Sequence, residues 1–440
     1  MNRQILTALA GTTALTIPWL LSHFVGIVHG YATVTTVAVS GIAVLGASFL
    51  LTWGAETAEK DVPRAFAIAV LAILAVAPEY AVDALYAWNA GQFAGSPRGI
   101  EAANLAVANM TGANRILIGI GWAGIAGFTI LRSGSVRDPS VVEREGFLAT
   151  AVSLDRDIGL EVVFLMLATV WAFFVPLNGG IGPIDTIALV SIYVVYIVVV
   201  LRAEHETSEE HVGVPAYLQS FAKPWRIATV LSLFAYSGII IFTAVEPFAH
   251  GLEQLGTQIG IPSFFMIQWI APFASESPEL IVVLVLVNKA RSTAGFNALI
   301  SSKLNQWTLL IGTLAVIYSI ALGQVGTLPF DEKQALEIWI TAAQSFFALS
   351  LIVNFRMSLR EAVVLFVLFI FQVFLEFLLV RDLISVAFTS HDVLLSFAVL
   401  YMVLGTVLFG LRWRSLRAIL DDTYKTVVAA VTRGGEGGTR

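Results

Sequence analysis

Two apolar stretches carry the same polar interruption, Ala-Pro-Glu-Tyr-Ala-Val at residues 77–82 and Ser-Pro-Glu-Leu-Ile-Val at residues 277–282. Proline inside a helix removes one backbone hydrogen bond and frees a carbonyl group about one turn earlier. The carboxylate next to it adds negative charge, so each Pro-Glu pair supplies a small set of hard oxygen ligands. Ionisable groups at membrane depth are costly and usually functional. The repeated pair therefore predicts a repeated architecture around a site for a small cation.

The composition of the 440-residue chain places most of it in lipid. Hydrophobic residues make up 57% of the chain and charged residues 13%, which is outside the range of soluble domains. A helix needs about 20 apolar residues to cross the hydrocarbon core. About twelve runs of that length lie near residues 5–28, 31–53, 64–88, 103–131, 147–175, 183–202, 227–248, 260–288, 296–322, 335–354, 360–380 and 393–411. The runs do not alternate as barrel strands do, so the sequence predicts an all-α membrane protein with about twelve transmembrane helices.

The distribution of Lys and Arg predicts the orientation of these helices. If the N-terminus is cytoplasmic, twenty of the 25 Lys and Arg residues fall in cytoplasmic segments, and the outside loops hold only Arg98, Lys333 and Arg381. Cytoplasmic loops carry such an excess in membrane proteins. The first run has no convincing cleavage site behind it, so we expect a retained span. We expect both termini in the cytoplasm and a location in a bacterial-type inner membrane.

Internal symmetry predicts the organisation of the spans. Setting the first and last spans aside leaves five in each half, and an odd number gives the halves opposite orientation. We therefore expect two inverted five-helix repeats plus an extra helix at each end. The expected segments are an extra N-terminal helix at 1–30, a first repeat half at 31–202, an acidic cytoplasmic linker at 203–226, a second repeat half at 227–380, an extra C-terminal helix at 381–412 and a cytoplasmic tail at 413–440.

Two hydrophilic segments invite further interpretation. The linker carries Glu204, His205, Glu206, Glu209, Glu210 and His211, which could sense a divalent ion or simply be solvated, and we favour the second interpretation. The tail after Trp413 mixes apolar and charged residues before a Gly-rich end. It is typical of a short interfacial helix that frays into disorder.

Several classes of function are disfavoured by the residues present. The net charge of −6 argues against nucleic acid as a partner. The chain has no cysteine, which removes thiolate metal sites and cysteine nucleophiles. No His-Glu-x-x-His element, nucleotide-binding loop or Gly-x-Ser-x-Gly elbow is present. We therefore expect no enzyme activity and no cofactor, and the expected partners are small cations and the lipid bilayer.

Further acidic residues stand near each Pro-Glu pair. Asp83 follows Glu79 by four residues and Glu276 precedes Glu279 by three, so each shares a helix face with its neighbour. Each could be a second ligand or a proton carrier, or could lie in water at the mouth of the site. The Pro-Glu pairs themselves could instead have a structural role, in which the proline kinks the helix and the glutamate pairs with a nearby Arg or Lys.

These motifs resemble the alpha repeats of the cation/calcium exchanger superfamily, which includes sodium/calcium and calcium/proton exchangers. The likeness extends over roughly residues 40–380. Each repeat of that family has a Thr-Ser-x-Pro-Glu element followed by a Gly-Ser-Asn-x-x-Asn/Asp element, and its glutamates bind the transported cation. The resemblance implies that Glu79 and Glu279 bind the ion. Ser275-Glu276 occupies the polar pair of the second repeat, whereas Ala75-Val76 departs from it in the first.

The second element of each repeat extends the implied site. Counting from Glu279 without gaps places residues 301–303 on Gly-Ser-Asn and Gln306 on the final Asn/Asp. The first repeat needs an insertion of about nine residues at 91–99, which brings residues 110–112 and Arg115 to the same positions, and a second register on 112–114 stays open. The candidate ion-binding residues are Glu79, Glu279, Ser275, Glu276, Thr111, Ser302, Asn114, Asn305 and Gln306.

Two basic residues depart from the family pattern. Arg115 and Lys303 stand where the family usually keeps neutral or acidic ligands. An ammonium group can lose its proton when buried, whereas a guanidinium group keeps its charge. We hypothesise that Lys303 takes the part of a co-transported cation, with its protonation linked to ion release, and that Arg115 is a permanent counter-charge, with Asp83 as a third group for charge compensation or coupling. The alternative is that both basic side chains extend away from the pocket to the interface.

The resemblance and the residues together predict a secondary active cation antiporter of the Na⁺/Ca²⁺ or cation/H⁺ exchange type. Its site would lie at the membrane midplane, where the two Pro-Glu helix breaks meet. The alternative is a non-transporting, exchanger-like membrane sensor or assembly protein, for which the departures at Arg115 and Lys303 are the best argument.

Overall fold

A computed structural model of the chain describes residues 2–26, 32–62, 77–134, 137–202, 213–384 and 387–436, and within these ranges the chain is almost entirely helical. In chain order the α-helices are α1 (Asn2–Val25), α2 (Thr33–Ala58), α3 (Ala77–Gln92), α4 (Pro97–Ile116), α5 (Ala123–Arg132), α6 (Gly159–Ala172), α7 (Pro183–Arg202), α8 (Val214–Gln219), α9 (Lys223–Ile259), α10 (Ser263–Trp269), α11 (Ala271–Asn288), α12 (Ser292–Asn305), α13 (Ile311–Leu322), α14 (Glu332–Ile352), α15 (Leu359–Val380), α16 (Ser390–Leu411) and α17 (Trp413–Glu436). A π-helical segment, Leu117–Trp122, joins α4 to α5, and another, Gln306–Leu310, joins α12 to α13.

Five short strands accompany the helices. They are β1 (Val141–Val142), β2 (Ala151–Ser153), β3 (Gly180–Ile181), β4 (Leu328–Pro329) and β5 (Arg356–Ser358). The order β1-β2-β5 forms one antiparallel sheet, and β3 pairs with β4 in another. Short 3-10 turns lie at Arg156–Ile158 and Val175–Asn178. The sheets join loops between spans and were not predicted from the sequence.

The expected class of all-α membrane protein is confirmed. Ten helical segments are long and apolar enough to cross a membrane, and an eleventh is counted if Ser263–Ser277 and Glu279–Asn288 form one interrupted span. This count covers the described ranges alone, and the span expected at 64–88 lies mostly outside them because residues 63–76 are not described. The sequence stretch 203–212, with the acidic and histidine residues of the expected linker, also lies outside the described residues.

The structure corrects two expected helix boundaries. The run at 147–175 does not form one helix, since residues 151–153 pair in the sheet and the helical segment starts at Arg156 after the Asp155 cap. A continuous apolar run does not by itself distinguish a strand from a helix. The span expected at 103–131 starts earlier, since α4 already starts at Pro97, with the Ser96 side chain accepting a hydrogen bond from the Gly99 backbone.

The chain divides into two compact units, one of residues 1–86 and 205–278 and the other of residues 87–204 and 279–440. In the first unit, α2 and α9 pack closely along each other. Small residues permit this approach, because a Cβ atom at Gly41 would lie 2.7 Å from the ring of Phe248. Helix α1 attaches through Trp19, whose indole donates a hydrogen bond to the Thr243 hydroxyl over 3.0 Å.

An ion pair closes one end of this α2–α9 packing. The guanidinium of Arg226 in α9 donates two hydrogen bonds of 2.6 Å to the carboxylate of Asp61, just beyond α2. The hydrogen bonds from Arg226 hold the pKa of Asp61 below its ordinary value of 3.8, against the opposing effect of its burial. Arg226 also donates to the carbonyl groups of Gln219 and Phe221, so it joins α8, the turn after it and the end of α2.

In the second unit, α14 is the most deeply buried of the ten candidate spans. It starts at the Asp331 cap, whose side chain accepts a hydrogen bond from the Gln334 backbone over 2.9 Å, and it packs against α4, α6 and α16. A second acidic cap starts α12, because Asp138 accepts hydrogen bonds from the hydroxyl and backbone of Ser292. Burial opposes ionisation of Asp138, but hydrogen bonds from Ser140 and Ser292 outweigh it and lower its pKa.

Candidate functional site

Glu79 of the first Pro-Glu pair lies in the first turn of α3 as described, and its side chain is 2% exposed. The Ser275 hydroxyl, from the segment before the second Pro-Glu pair, donates a hydrogen bond to the Glu79 carboxylate. Both residues belong to the first unit. The structure thus brings a residue of each sequence repeat into one buried polar contact, which an isolated reading of either motif does not reveal.

Two more acidic residues predicted for the site are buried in the same unit. Asp83 follows Glu79 by one helical turn and is 1% exposed, and Glu276 is 2% exposed. The possibility that they lie in water at the mouth of the site is therefore not what the structure shows. Their burial keeps open the roles of ligand and proton carrier. Ala75-Val76, the departure from the family motif, lies outside the described residues.

Glu279 of the second Pro-Glu pair lies in the second unit with its own hydroxyl partner. The Ser302 hydroxyl in α12 donates a hydrogen bond of 2.7 Å to the Glu279 carboxylate. Gln306, one turn after Ser302, lies with its amide nitrogen 3.5 Å from the same hydroxyl and is fully buried. Glu279 itself is half-buried. Each Pro-Glu carboxylate thus accepts a hydrogen bond from a serine.

Lys303 points to the helix that carries the first repeat's second element. Its ammonium group lies 2.7 Å from the side-chain oxygen of Asn114 and 3.4 Å from the Asn114 backbone oxygen. The ammonium also lies 4.1 Å from the centre of the Trp307 ring, within range of a cation–π interaction. Lys303 and Asn114 are both fully buried, so Lys303 does not extend to the interface.

Arg115 is held in a buried cluster that the sequence did not predict. Its guanidinium donates a hydrogen bond of 2.9 Å to Glu337 and one of 3.2 Å to Gln344, both in α14. A third hydrogen bond goes to Gln372 in α15. All four side chains have no exposed surface. Arg115 therefore has a carboxylate counter-charge in Glu337, and it too does not extend to the interface.

The cluster continues toward the protein surface. Gln372 donates a hydrogen bond of 3.0 Å to Glu376, one turn later in α15. Glu376 pairs with Lys333 at 3.3 Å, and the Lys333 side chain is 28% exposed. Glu376 and Gln372 share one face of the helix. The pairs Arg115–Glu337 and Lys333–Glu376 could not be predicted from the sequence, because each joins two different helices that only the packing brings together.

The remaining predicted residues are buried polar groups with local partners. The Thr111 hydroxyl donates to the Val107 carbonyl over 2.8 Å, within its own helix. The Asn114 amide donates to the Met110 carbonyl over 2.8 Å, which leaves its oxygen facing Lys303. Asn305 is 3% exposed. Thr111 is therefore held by its own helix backbone, whereas Asn114 contacts the second repeat.

The two π-helical segments fall at related points of the two repeats. Leu117–Trp122 starts three residues after Asn114, and Gln306–Leu310 starts one residue after Asn305. The register that places Arg115 on Gln306 also aligns these two asparagines. A π-helical turn widens the helix by one residue, and such turns often lie at functional sites. The second element of each repeat thus ends in the same unusual backbone geometry.

The chemistry of the site is that of hard oxygen groups. Carboxylates, hydroxyls and side-chain amides suit Ca²⁺, Na⁺ or a proton. In the ranges that the structure describes, no three His, Cys, Asp or Glu side chains are grouped so as to hold a resident metal.

These spans and buried polar clusters define an integral membrane protein. The sequence profile described as "sodium/calcium exchanger protein" matches residues 32–202 and 229–378. The chain belongs to this family, which is one of transporters and not of enzymes. No protein with a curated functional description matches the chain significantly.

Solved structures are similar over nearly the whole chain. The crystal structure of the H⁺/Ca²⁺ exchanger CAX is 41% identical, with 98% of this chain and 99% of that chain covered and a TM-score of 0.83. The Ca²⁺/H⁺ antiporter protein YfkE is 14% identical, with 85% of this chain and 99% of that chain covered and a TM-score of 0.55. The second likeness shows the fold alone.

Proposed function

We propose that this protein is a secondary active antiporter that exchanges Ca²⁺ for H⁺, with Glu79 and Glu279 as the carboxylates that bind the ion. The observation that carries the proposal is the 41% identity to an H⁺/Ca²⁺ exchanger over 98% of the chain. The site geometry agrees with it, since each carboxylate already accepts a hydrogen bond from a serine.

The chemistry of these groups suits exchange. A buried carboxylate is costly when charged and uncompensated, so it favours binding either a cation or a proton. The two ligands compete for the same oxygen atoms, which couples release of one to uptake of the other. When Ca²⁺ binds the carboxylate, it replaces the hydrogen bond from the serine, and the hydroxyl of Ser275 or Ser302 keeps its proton and can turn its oxygen to the ion as a neutral ligand of the kind that Ca²⁺ accepts.

The further ligands in this proposal are the remaining predicted residues, Glu276, Thr111, Asn114, Asn305 and Gln306. Alternating access would arise from one mobile bundle moving against the remaining helices. The proposal includes two inverted five-helix repeats with a midplane site, the segment boundaries given above, cytoplasmic termini and an inner-membrane location.

Lys303 and Arg115 have different roles in this proposal. Lys303 stands in for a co-transported cation, because its ammonium group is buried against Asn114 and because Lys303 directly follows Ser302, the residue bound to Glu279. Arg115 acts as a permanent counter-charge within a cluster that already contains the carboxylate of Glu337. Asp83, buried one turn after Glu79, takes part in coupling as a proton carrier.

The second candidate is a non-transporting membrane sensor or assembly protein. The observation that favours it is the presence of Lys303 and Arg115 where the family usually keeps neutral or acidic ligands. A protein of this kind would keep the fold and its buried polar clusters without moving an ion.

Ion flux in proteoliposomes tests the proposal. Uptake of Ca²⁺, Na⁺ and K⁺ is measured against imposed H⁺ and Na⁺ gradients for the native chain, Glu79→Gln and Glu279→Gln, with the exposed Glu145→Gln as a matched control. Ca²⁺ flux that depends on the H⁺ gradient, is kept by the control and is lost in both site variants is expected. Absence of flux under every gradient, from protein shown to be folded, would favour the sensor or assembly protein.

A further inference from the structure

The C-terminal helix α17 runs across the ends of two spans of its own unit. Near its middle, Ile419 packs on Gly159, the first residue of α6, where an added Cβ would lie 3.4 Å from the Ile419 side chain. Near its far end, the Ala430 carbonyl accepts a hydrogen bond of 3.3 Å from Arg202, the last residue of α7. Since α6 and α7 are consecutive spans, the start of one and the end of the other face the same side of the membrane.

The distance along α17 fits this crossing. Ile419 and Ala430 are eleven residues apart, which is roughly 16 Å of helix at 1.5 Å per residue. Packed helices lie about 8–10 Å apart. A helix that passes from the end of one span to the end of its neighbour over this length lies along the membrane surface and does not extend into the aqueous phase.

The start of α17 is fixed at the same membrane face. Span α16 ends at Leu411 and α17 starts at Trp413, with Arg412 between them. The Arg412 guanidinium donates to the Ser350 carbonyl over 3.0 Å at the end of α14, and it pairs with Glu361 in the first turn of α15. The first residue of α17 therefore lies at the level where three candidate spans begin or end.

The side chains of α17 form three separate faces. Ile419, Thr423 and Ala430 are buried against the protein. An apolar face remains exposed, and at about 100° per residue its members lie within roughly 80° of one another and about 120° from the buried face. They are Trp413, Leu420, Tyr424 and Val428, with exposures of 59%, 39%, 70% and 41%.

The third face is charged, and over residues 413–432 the basic residues Arg414, Arg417 and Lys425 stand against the acidic residues Asp421 and Asp422. Arg417 lies 3.8 Å from Asp421, and Lys425 lies 3.9 Å from Asp422. Arg417 lies between Tyr424 and Val428 around the helix axis, and its pairing with Asp421 directs its charged end toward the charged face. Attraction of a basic patch to anionic lipid is therefore not the main source of membrane affinity here.

We propose that the exposed apolar face of α17 is a lipid-binding surface, inserted at the boundary between headgroups and acyl chains. Aromatic residues such as Trp413 and Tyr424 favour that boundary, and an amphipathic helix in this position buries its apolar face in it. The face continues from Leu411, the 78% exposed last residue of span α16, so lipid that surrounds the span also meets the helix. This proposal does not depend on the ion that the protein transports.

The absence of cysteine makes the test direct, because each introduced cysteine is the only one in the chain. Nitroxide labels are attached to Leu420→Cys and Tyr424→Cys on the apolar face and to Asp422→Cys and Lys425→Cys on the charged face. Accessibility to oxygen, which partitions into lipid, and to a water-soluble nickel complex is then measured in phosphatidylcholine proteoliposomes. Size-exclusion chromatography of each labelled protein checks that it remains folded.

The proposal expects positions 420 and 424 to be at least severalfold more accessible to oxygen than to nickel, and positions 422 and 425 to show the reverse. Equal nickel accessibility at 420 and 422 would overturn it, because the helix would then be in water. Low accessibility to both reagents at 420 and 424, with spin–spin broadening, would also overturn it and indicate a second copy of the chain. A pattern that appears only when anionic lipid is added would contradict the apolar basis of the binding.

Discussion

The ammonium group of Lys303 lies 2.7 Å from the side-chain oxygen of Asn114, and both residues are completely buried. The contact joins α12 to α4, the helices that carry the second element of the two repeats. The next residue on each side takes part in a separate interaction, because Ser302 binds Glu279 and Arg115 binds Glu337. The Lys303–Asn114 contact is thus flanked in the sequence by residues that bind two carboxylates of the same unit.

Replacement of Lys303 tests its role as an internal cation. Lys303→Asn removes the charge while keeping a side chain that can hydrogen-bond to Asn114. We expect altered pH dependence or altered ion coupling of flux in proteoliposomes. The control is Lys289→Asn, at an exposed loop position. Transport identical to that of the native chain in Lys303→Asn would contradict the role.

Removal of the Ser275 hydroxyl tests the polar partner of Glu79. Ser275→Ala takes away a hydrogen bond to a charged group, which contributes about 1.5–3 kcal/mol, and also a neutral oxygen ligand. We expect the cation concentration for half-maximal flux to rise roughly tenfold or more. Ser277→Ala is the matched control, because the Ser277 hydroxyl donates to the Phe273 carbonyl in its own helix. Equal effects of the two substitutions would mean that the Glu79 contact has no part in ion binding.

The Arg115–Glu337 pair predicts strong thermodynamic coupling. Removing one member of a buried ion pair costs about 3–5 kcal/mol, whereas removing both often costs much less. We expect Glu337→Gln to lower the thermal unfolding midpoint in detergent clearly, and Arg115→Gln with Glu337→Gln to lower it by less than the two single effects combined.

Asp421→Asn at the exposed Arg417–Asp421 pair is the control, since exposed pairs contribute about 0–1 kcal/mol. Strict additivity of the Arg115 and Glu337 substitutions would show that the two side chains do not interact in solution.

The Asp61–Arg226 pair predicts a pH-dependent stability. Because the hydrogen bonds from Arg226 lower the pKa of Asp61 below 3.8 in the folded protein, the pair stabilises the fold above that pH. The contribution disappears as the pH falls through the lowered pKa. We expect Asp61→Asn to reduce the thermal midpoint modestly at pH 7, with the difference from the native chain shrinking below about pH 4.

The exposed Glu145→Gln serves as the control for Asp61→Asn and should match the native chain throughout this pH range. A difference between Asp61→Asn and the native chain that is the same at pH 3 and pH 7 would exclude the ionised carboxylate as its cause.

The membrane fold and the location of both Pro-Glu pairs within apolar helices could be predicted, because both depend on local signals in the sequence. The length of an apolar run identifies a span. A Pro-Glu pair inside such a run is noticeable because an ionisable side chain at membrane depth costs free energy and is therefore rare there. The alignment of Asn114 with Asn305 follows from the residue spacing in the two repeats alone, in the register that places Arg115 on Gln306. These features need no knowledge of which helices are neighbours.

The partners of the buried charges could not be predicted in this way. Glu337 reads from the sequence as an ordinary acidic residue early in a span, and only packing brings it to Arg115, 222 residues earlier in the chain. Ser275 and Glu79 are likewise 196 residues apart. The short strands were missed because an apolar run such as 147–175 has the same composition whether it is helical or extended.

The two π-helical segments make the helices that carry them sensitive to the deletion of a single residue. Each holds one residue more than an α-helix of the same rise, so the side chains before and after it are offset by about 100° from the regular sequence of faces. Deleting a single residue within 117–122 or 306–310 would restore an ordinary helix and turn Asn114 or Asn305 away from its present direction. In these two helices, the number of residues in the π-helical segment therefore determines the direction of the polar side chains as strictly as residue identity determines their chemistry.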